Sequence, residues 1–267
     1  MRNSINARIQ ALLGARLHLS FTQQRVTVLR RPAGLRSQPT VVAELPLTEY
    51  AIAEPQRLVA QCTAILGSAD CAGLPLCVTL TDESVRLFTV SPPHHASRLH
   101  DLQAAAVMRF VALYGDAPSA WNLQADWDAN APFLACAVPH TLLSALQQVA
   151  LQHNMPLLSV TPRFVTAWNQ YQRTVPADTW FGVVQDQHLT LGVTTQTPKR
   201  RLEAVRSIAI PDDGQHPRWL QDQLARAALQ LNLSAPKQIQ LVGNRQHWWG
   251  GVKSDAAAIL STLAVQA

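Results

Sequence analysis

Two pairs of adjacent polar residues have side chains of the kinds that catalysis or metal binding requires. Asp82-Glu83 supplies two carboxylates, which could serve general acid–base chemistry, and His94-His95 supplies two imidazoles, which are common zinc ligands. Asp82-Glu83 lies between two predicted strands, where a polar turn is the alternative interpretation. His94-His95 follows Pro92-Pro93 and has no second ligand pair nearby in the sequence. We interpret it as an exposed loop and predict no metal site.

Other motifs that could carry chemistry are incomplete. Gly250-Gly251 follows Trp248-Trp249 but is not followed by the Lys-Ser/Thr of a phosphate-binding loop. No serine or cysteine lies in a recognisable nucleophile elbow. The four cysteines lack metal-ligand spacing and are expected to be reduced thiols, as in a cytosolic protein; they are Cys62, Cys71, Cys77 and Cys136. The residues therefore predict no catalytic group.

The composition is that of a folded protein. In 267 residues, 48% are hydrophobic and only 15% are charged, which excludes a disordered chain. The net charge of +5 comes from basic residues scattered along the chain, without the dense basic and aromatic clusters of a nucleic-acid interface. No stretch reaches the roughly 18 apolar residues that a membrane-spanning helix needs, so a soluble protein is expected.

A sequence pattern recurs 163 residues further along the chain. Gln24–Val28 aligns with Gln187–Leu191, and in the same register Leu76–Thr79 aligns with Ile239–Val242. The similarity is one of pattern rather than identity, so chance is the competing explanation. A duplicated unit predicts two similar lobes.

Each copy is predicted to contain a hairpin, a third strand, a helix and a further strand. In the first copy the hairpin turns at Thr22–Gln24, and in the second it turns at Gln185–Gln187. A final helix is predicted over Asp255–Leu263. The remaining predicted elements of the two copies are, in order, Thr40–Leu47, Pro55–Gly67 and Leu74–Leu80, and then Leu202–Ile210, Trp219–Leu233 and Gln238–Val242.

The middle of the chain belongs to neither copy. Its pattern predicts a small α+β insertion within the first lobe, similar to a split βαβ unit. We therefore predict a first lobe over residues 1–81, an inserted subdomain over 82–161, and a crossover helix with the second lobe over 162–267. The predicted elements of the insertion are Val85–Val90, Ser97–Tyr114, Trp121–Trp127, Phe133–Val138, His140–Gln152 and Leu157–Val160.

Three segments resemble a known family. They are Leu76–Phe88, which has a strand, a polar bend and a second strand bearing an arginine, then Phe133–Pro139, and Leu158–Pro162. The chain resembles the PilM pilus-assembly proteins and the GspL cytoplasmic domains of the actin-like ATPase superfamily. The resemblance spans nearly the whole chain through loose motifs. It implies an α/β, actin-like (ribonuclease H-like) fold with duplicated lobes of mixed sheets and an inserted α+β subdomain in the first lobe.

The resemblance also implies a role. For this chain it implies a cytoplasmic location, peripheral to the inner membrane through partners. The expected partner is a membrane-anchored assembly protein that contributes its cytoplasmic tail, with a secretion or pilus ATPase and a homodimer as further expectations. The expected function is therefore a non-catalytic scaffold of a type IV pilus or type II secretion-like assembly. The alternatives are an ATP-binding switch ATPase in the same kind of machine and an interaction protein of an unrelated envelope machine.

The resemblance locates a nucleotide site in the two hairpin turns and in a third turn that holds the adenosine. Such turns need small residues for close approach to phosphate, and acids for Mg²⁺. The first turn, Ser20–Arg25, has neither an acid nor a glycine; in the second, Asp186 lies at the bend; the third has one glycine, Gly243. Arg25 could contact a phosphate, although a solvated arginine is the alternative. We expect a vestigial site, with remnants at Gln24, Arg25, Asp186 and Gly243, and no bound ATP or Mg²⁺.

The candidates for partner binding lie in the insertion. If Val85–Val90 is an edge strand, Arg86 and Phe88 could receive an extended tail, with the guanidinium of Arg86 pairing with a carboxylate. Trp121 and Trp127 have the same parity along one predicted strand and so share a face, which is either core or a docking surface. These four residues are the predicted partner site.

Overall fold

The structure is a computed structural model of the full chain. It describes residues 14–34, 38–47, 54–68, 71–96, 98–176, 179–194, 201–212, 217–233, 236, 238–243 and 259–263. The chain divides into two compact units, which are Met1–Ser84 with Val138–Arg163 and Ala267, and Val85–Ala137 with Phe164–Gln266. The predicted three-part division at residues 82 and 162 stays a prediction.

The first unit contains a five-stranded sheet with the order β3-β2-β1-β4-β8. Helices α1 and α3 contact each other, with α1 also against β2 and β3 and α3 against β8. Alternate residues of the central strand β1 are fully buried, so one face of the sheet forms the core. The elements are β1 (Arg16–Phe21), β2 (Arg25–Arg31), β3 (Thr40–Pro46), α1 (Pro55–Ser68), β4 (Leu76–Leu80), α3 (His140–Gln152) and β8 (Leu157–Pro162).

The second unit contains a sheet with the corresponding order, β11-β10-β9-β12-β13. Helix α5 packs its apolar residues on one face of this sheet. On the other face, Phe181 lies 5.8 Å from Phe164 and 5.4 Å from Trp168, both on helix α4. The sheet is therefore apolar on both sides. Its elements are α4 (Arg163–Tyr171), β9 (Thr179–Gln185), β10 (His188–Thr194), β11 (Leu202–Ala209), α5 (Pro217–Gln230), β12 (Gln238–Gly243) and β13 (Ile259–Leu263).

The predicted duplication is confirmed by strand register. Phe21 pairs with Val26 in the first hairpin, and Val184 pairs with Leu189 in the second, which are the same positions 163 residues later. The parallel pairs agree as well, because Leu17 lies opposite Leu76 and Trp180 lies opposite Ile239. The shared strand order and register at a constant offset argue against chance similarity.

The predicted C-terminal helix is wrong. Ile259–Leu263 is a strand that pairs in parallel with β12, from Gln238 opposite Ile259 to Val242 opposite Leu263. It occupies the place in the second sheet that β8 occupies in the first. Strand pairing satisfies the backbone groups of this segment and of the neighbouring edge, which the local sequence pattern does not reveal. Residues 255–258 of the predicted helix lie outside the described residues.

The second unit also contains a three-stranded sheet with the order β5-β7-β6, covered by helix α2. Helix α2 begins after Arg98, whose backbone N–H donates to the Asp101 carboxylate at 3.3 Å, and it ends at Gly115, which is left-handed with φ 69°. The predicted strand Trp121–Trp127 is too long, because Trp127 has φ 46° and leaves the extended conformation. The elements are β5 (Arg86–Val90), α2 (Leu99–Tyr114), β6 (Trp121–Ala125) and β7 (Phe133–Pro139).

Candidate functional site

The first hairpin turn uses its own hydroxyl group to satisfy its backbone donors. The Oγ1 atom of Thr22 accepts from the backbone N–H of Gln24 at 3.3 Å and from that of Arg25 at 3.0 Å. The same hydroxyl donates to the Arg25 carbonyl at 3.2 Å, and the Thr22 N–H donates to that carbonyl at 2.9 Å. A phosphate would therefore have to displace a side chain to reach these N–H groups.

A carboxylate lies directly against this turn. The Gln23 amide nitrogen donates to both oxygens of Glu83, at 2.7 and 2.9 Å. Glu83 is held in a 3₁₀ turn over Asp82–Ser84, in which the Ser84 hydroxyl donates to the Thr81 carbonyl at 2.7 Å. The predicted polar turn at Asp82-Glu83 is thus present, and its acid gives the first hairpin turn a negative neighbour. This arrangement disfavours a phosphate group.

Arg25 has an acidic neighbour of its own on the next strand. Its Nη1 lies 3.8 Å from Oε2 of Glu44, and about half of each side chain is exposed. An exposed ion pair at this distance contributes little to stability, so the guanidinium stays close to solvent. The neighbouring Gln24 side chain is exposed.

The second hairpin turn is also satisfied within its own unit. Asp186 lies at the bend with φ 53°, a left-handed conformation that aspartate tolerates. The Gln187 side chain donates to Oδ1 of Asp212 at 3.0 Å, and the Gln187 carbonyl accepts from the N–H of Ile210 at 2.7 Å. The turn is therefore tied to the end of β11.

Gly243 has a structural reason to be glycine. Its φ is +132°, and a Cβ atom at this position would lie 1.8 Å from the carbonyl oxygen of Val184. The two residues are register partners in β12 and β9. Close approach of two strand backbones therefore explains this glycine without a nucleotide.

Metal-ligand geometry is not found in the part of the chain that the structure describes. No group of three or more His, Cys, Asp or Glu side chains there is arranged to hold a metal ion. His94 and His95 are both exposed. All four cysteines are free, and burial raises the pKa of the Cys62 thiol to about 12, so it stays protonated at neutral pH.

The predicted partner residues on β5 have different surroundings. Phe88 is 2% exposed and packs in the core of the three-stranded sheet, 6.0 Å from both the Phe110 and the Tyr114 ring centroids. The Arg86 guanidinium carbon lies 5.4 Å from the centroids of Tyr114 and of Trp121. The Nε–H group of Arg86 is buried and donates to no partner among the described residues. Arg86 is thus a cation held between two aromatic rings.

The predicted partner residues Trp121 and Trp127 both pack against the same core as Phe88. Trp121 lies 5.6 Å from Phe110, and Trp127 lies 5.9 Å from Phe133. Asp128, next to Trp127, is fixed by an ion pair with Arg201 at 2.8 Å. These contacts support the interpretation of both tryptophans as core residues. Partner binding by any of the four residues stays a prediction.

The contact between Gln23 and Glu83 could not be predicted from the sequence. The two residues are 60 positions apart, and no local pattern links them. The hydroxyl group of Thr22 could have been noticed, because threonine before a turn often bonds the next backbone N–H groups.

Comparison with known proteins decides the fold. No protein-family model and no curated protein matches the chain. Among solved structures, the PilM–PilN type IV pilus biogenesis complex aligns with a TM-score of 0.63 at 14% identity, covering 88% of this chain and 83% of that one. A Bacteroides thetaiotaomicron protein of unknown function with an actin-like ATPase fold gives 0.59 at 8% identity, covering 91% and 84%. This chain has the actin-like ATPase fold.

A third structure agrees with this assignment. The cytoplasmic domain of EpsL, an inner-membrane component of the type II secretion system of Vibrio cholerae, gives a TM-score of 0.55 at 11% identity, covering 86% of this chain and 83% of that domain. The expected resemblance to PilM and GspL proteins is therefore confirmed at the level of the fold. In the described residues, no helix of this actin-like chain is long and apolar enough to cross a membrane.

Proposed function

We propose that this chain is a non-catalytic scaffold of a type IV pilus or type II secretion-like assembly that binds the cytoplasmic tail of an inner-membrane partner. It would lie in the cytoplasm, at the inner membrane through that partner. The observation that carries the proposal is the first hairpin turn. In an actin-like ATPase the backbone N–H groups of this turn would bind phosphate. Here two of them donate to the Thr22 hydroxyl, and the Glu83 carboxylate contacts the same turn through Gln23.

The energetic argument is simple. Micromolar affinity for a nucleotide corresponds to about 8 kcal/mol. Hydrogen bonds to a charged group contribute about 1.5–3 kcal/mol each, so losing three of them removes most of that affinity. The second turn adds no metal ligand at a strand end, because Asp186 lies at the bend. These features support a protein that works by binding other proteins.

The names of two similar structures support the kind of partner. One is a complex of PilM with PilN, and another is a domain of an inner-membrane secretion component. For this chain, we propose that Arg86 anchors the partner's tail. Its guanidinium carbon lies 5.4 Å from the ring centroids of Tyr114 and Trp121, and the residue is only partly buried, so a carboxylate of the tail could pair with it.

The test uses the full chain and synthetic peptides. Fluorescence anisotropy would measure binding of the N-terminal cytoplasmic tails of the single-span membrane proteins encoded beside this one. One tail should bind, and Arg86→Ala should weaken it at least about tenfold, whereas Arg109→Ala, an exposed arginine on α2, should not. Binding of no tail, or equal losses in both variants, would contradict the proposal.

A further inference from the structure

The end of the first unit at which β1 begins is rich in arginine. Arg16 is the first residue of β1, and Arg30 and Arg31 are the last two residues of the antiparallel strand β2, so all three lie at the same end of the five-stranded sheet. Arg30 and Arg31 are exposed, and neither forms an ion pair with another described residue. We call this end of the sheet the basic end.

The positive charges of the basic end repel one another. Strand register places Arg16 directly opposite Arg31, and like charges in opposite positions of antiparallel strands are destabilising. Burial, together with these two charges, lowers the pKa of the neighbouring His18 to about 4, so this side chain is neutral at neutral pH and adds no charge. A negatively charged surface beside the arginines would offset their repulsion.

The described acidic residues of the first unit all lie towards the opposite end of the sheet. Glu44 is near the first hairpin turn and pairs with Arg25. Glu54 precedes α1 and pairs with Arg57. The other two follow β4, next to the same hairpin turn. Two of the four acids are thus already paired with other arginines, and none lies beside the basic end. The four acidic residues are Glu44, Glu54, Asp82 and Glu83.

Two further features bear on the charge of the basic end. Helices α1 and α3 both end here, because each is followed by a strand that runs parallel to β1, but a helix C-terminus carries only about half a negative charge, which three guanidinium groups outweigh. The segments before β1 and between β2 and β3 contain Arg2, Arg8 and Arg36 and no acid, while the segment between α1 and β4 contains one acid, Asp70. These four residues lie outside the described residues. The balance of charge is therefore positive.

Exposed apolar side chains accompany the arginines. All four exposed large apolar side chains among the described residues of the first unit lie at the basic end. Two are near the start of β3, one is in the last turn of α3 and one is near the start of β8, so they flank the arginines on both edges of a sheet roughly 20 Å wide. They are Val41, Val42, Leu151 and Leu158, with exposed fractions of 57%, 39%, 77% and 40%.

We infer that the basic end is a membrane-contact surface that binds the anionic headgroups of a lipid bilayer directly. The guanidinium groups of Arg30 and Arg31 pair with lipid phosphates, and the exposed valine and leucine side chains insert at the boundary between headgroups and acyl chains. Electrostatic attraction and apolar insertion each contribute modestly, so the binding is reversible and needs both.

The make-up of the basic end favours a bilayer over other anionic partners. A nucleic acid would select aromatic side chains on which bases stack, but the one Phe, Tyr or Trp among the described residues of the first unit, Phe21, is buried at the other end of β1. A protein partner would select a compact patch centred on aromatic or arginine anchors. Here the apolar side chains are aliphatic and lie at both edges of the sheet, where a lipid surface can meet them together.

This inference goes beyond the proposed function, in which the chain reaches the inner membrane through a partner. It depends neither on Arg86 nor on the hairpin turn at Thr22–Gln24. Its test therefore succeeds or fails separately from the test of tail binding.

Vesicle flotation with the full chain tests the inference. At about 0.1 M salt the chain should bind vesicles of about 30% phosphatidylglycerol in phosphatidylcholine, and it should not bind phosphatidylcholine alone. Arg30→Gln combined with Arg31→Gln should weaken binding at least about tenfold, because each arginine near an anionic surface contributes to the attraction. All these changes are at exposed positions, so the thermal midpoint should change by less than about 2 °C.

The matched control removes the same charge from the opposite end of the unit. Arg25→Gln combined with Arg57→Gln should weaken vesicle binding less than about threefold, because both arginines are paired with acids and lie away from the bilayer. Leu151→Gln tests the apolar contribution and should weaken binding at least about threefold. Leu229→Gln, at a side chain that is 80% exposed on α5 of the second unit, should leave binding unchanged.

Three results would overturn the inference. The unmodified chain could fail to bind anionic vesicles, which would leave the basic end to an acidic protein or a nucleic acid, or it could bind neutral vesicles equally well. The two double variants could lose binding to the same extent, which would show an effect of net charge alone. Leu151→Gln could bind as the unmodified chain does, which would exclude apolar insertion.

Discussion

The side-chain amide of Gln23 donates to both carboxylate oxygens of Glu83, at 2.7 and 2.9 Å. This contact joins the first hairpin turn to the turn that follows β4. In an actin-like fold, the first hairpin turn is where phosphate is expected to approach. Here that approach meets a negative charge and backbone donors already bound by Thr22.

Replacing Glu83 should change stability very little. This hydrogen bond is exposed, so Glu83→Gln should alter the free energy of unfolding by less than about 1 kcal/mol. Urea denaturation followed by circular dichroism measures this. A loss above about 2 kcal/mol would mean that the acid has a structural role that the contact does not explain.

Gly243→Ala should strongly destabilise the five-stranded sheet of the second unit. Its Cβ would lie 1.8 Å from the Val184 carbonyl oxygen at a φ of +132°, so the strands would have to separate. We expect a loss of at least about 3 kcal/mol. The control is Gly73→Ala, where φ is +79° but nothing lies within 4 Å, and the loss should be about 1–2 kcal/mol. Equal losses in urea denaturation would refute this account of Gly243.

Phe88→Ala separates a core role from a docking role. Because Phe88 is 2% exposed between Phe110 and Tyr114, truncation should lower the free energy of unfolding by about 3–5 kcal/mol. Leu151→Ala, at a side chain that is 77% exposed, should change it by less than about 0.5 kcal/mol. If the Phe88→Ala protein were fully stable but no longer bound the partner's tail, Phe88 would belong to the partner-binding surface instead.

His18 should make the fold sensitive to acid. Burial, with the charges of Arg16 and Arg31, lowers the pKa of His18 from 6.5 to about 4. Below pH 6.5 the His18 side chain is protonated in the unfolded chain, but in the folded chain it is protonated only below about pH 4. The free energy of unfolding is therefore highest above pH 6.5 and decreases as the pH falls from 6.5 to about 4. Because His18 is partly exposed, the loss should be on the order of 1–2 kcal/mol.

Thermal unfolding between pH 7 and pH 4 measures this effect. His18→Gln should flatten the pH dependence, and His100→Gln, at an exposed position on α2, should leave it unchanged. If both variants retain the slope of the unmodified chain, groups other than His18 are responsible.

Much of the fold could be predicted because the strands and turns of both copies follow from short-range sequence patterns. The hairpins, for example, follow from alternation on either side of Thr22–Gln24 and Gln185–Gln187. The strand at Ile259–Leu263 was missed because its conformation is set by a parallel neighbour some 20 residues away in sequence. The end of β6 could not be predicted because Trp127 has a left-handed backbone conformation, and this position has no glycine or asparagine to indicate it.

The candidate site was less predictable than the fold. That the turns lack glycine and well-placed acids is visible in the sequence. The hydrogen bonds from the turn amides to Thr22 are local and could have been predicted, whereas the contact of Gln23 with Glu83, 60 residues away, is a tertiary one. Likewise, alternation on β5 could not tell whether Phe88 points to the core or to a partner, because both surfaces select apolar side chains.

Isothermal titration with ATP and Mg²⁺ tests the central claim most directly. A scaffold whose hairpin turn is already satisfied by Thr22 and Glu83 should give no binding heat up to about 1 mM nucleotide, a limit of about 4 kcal/mol in affinity. A dissociation constant in the low micromolar range would contradict it, since the turns would then hold a triphosphate after all.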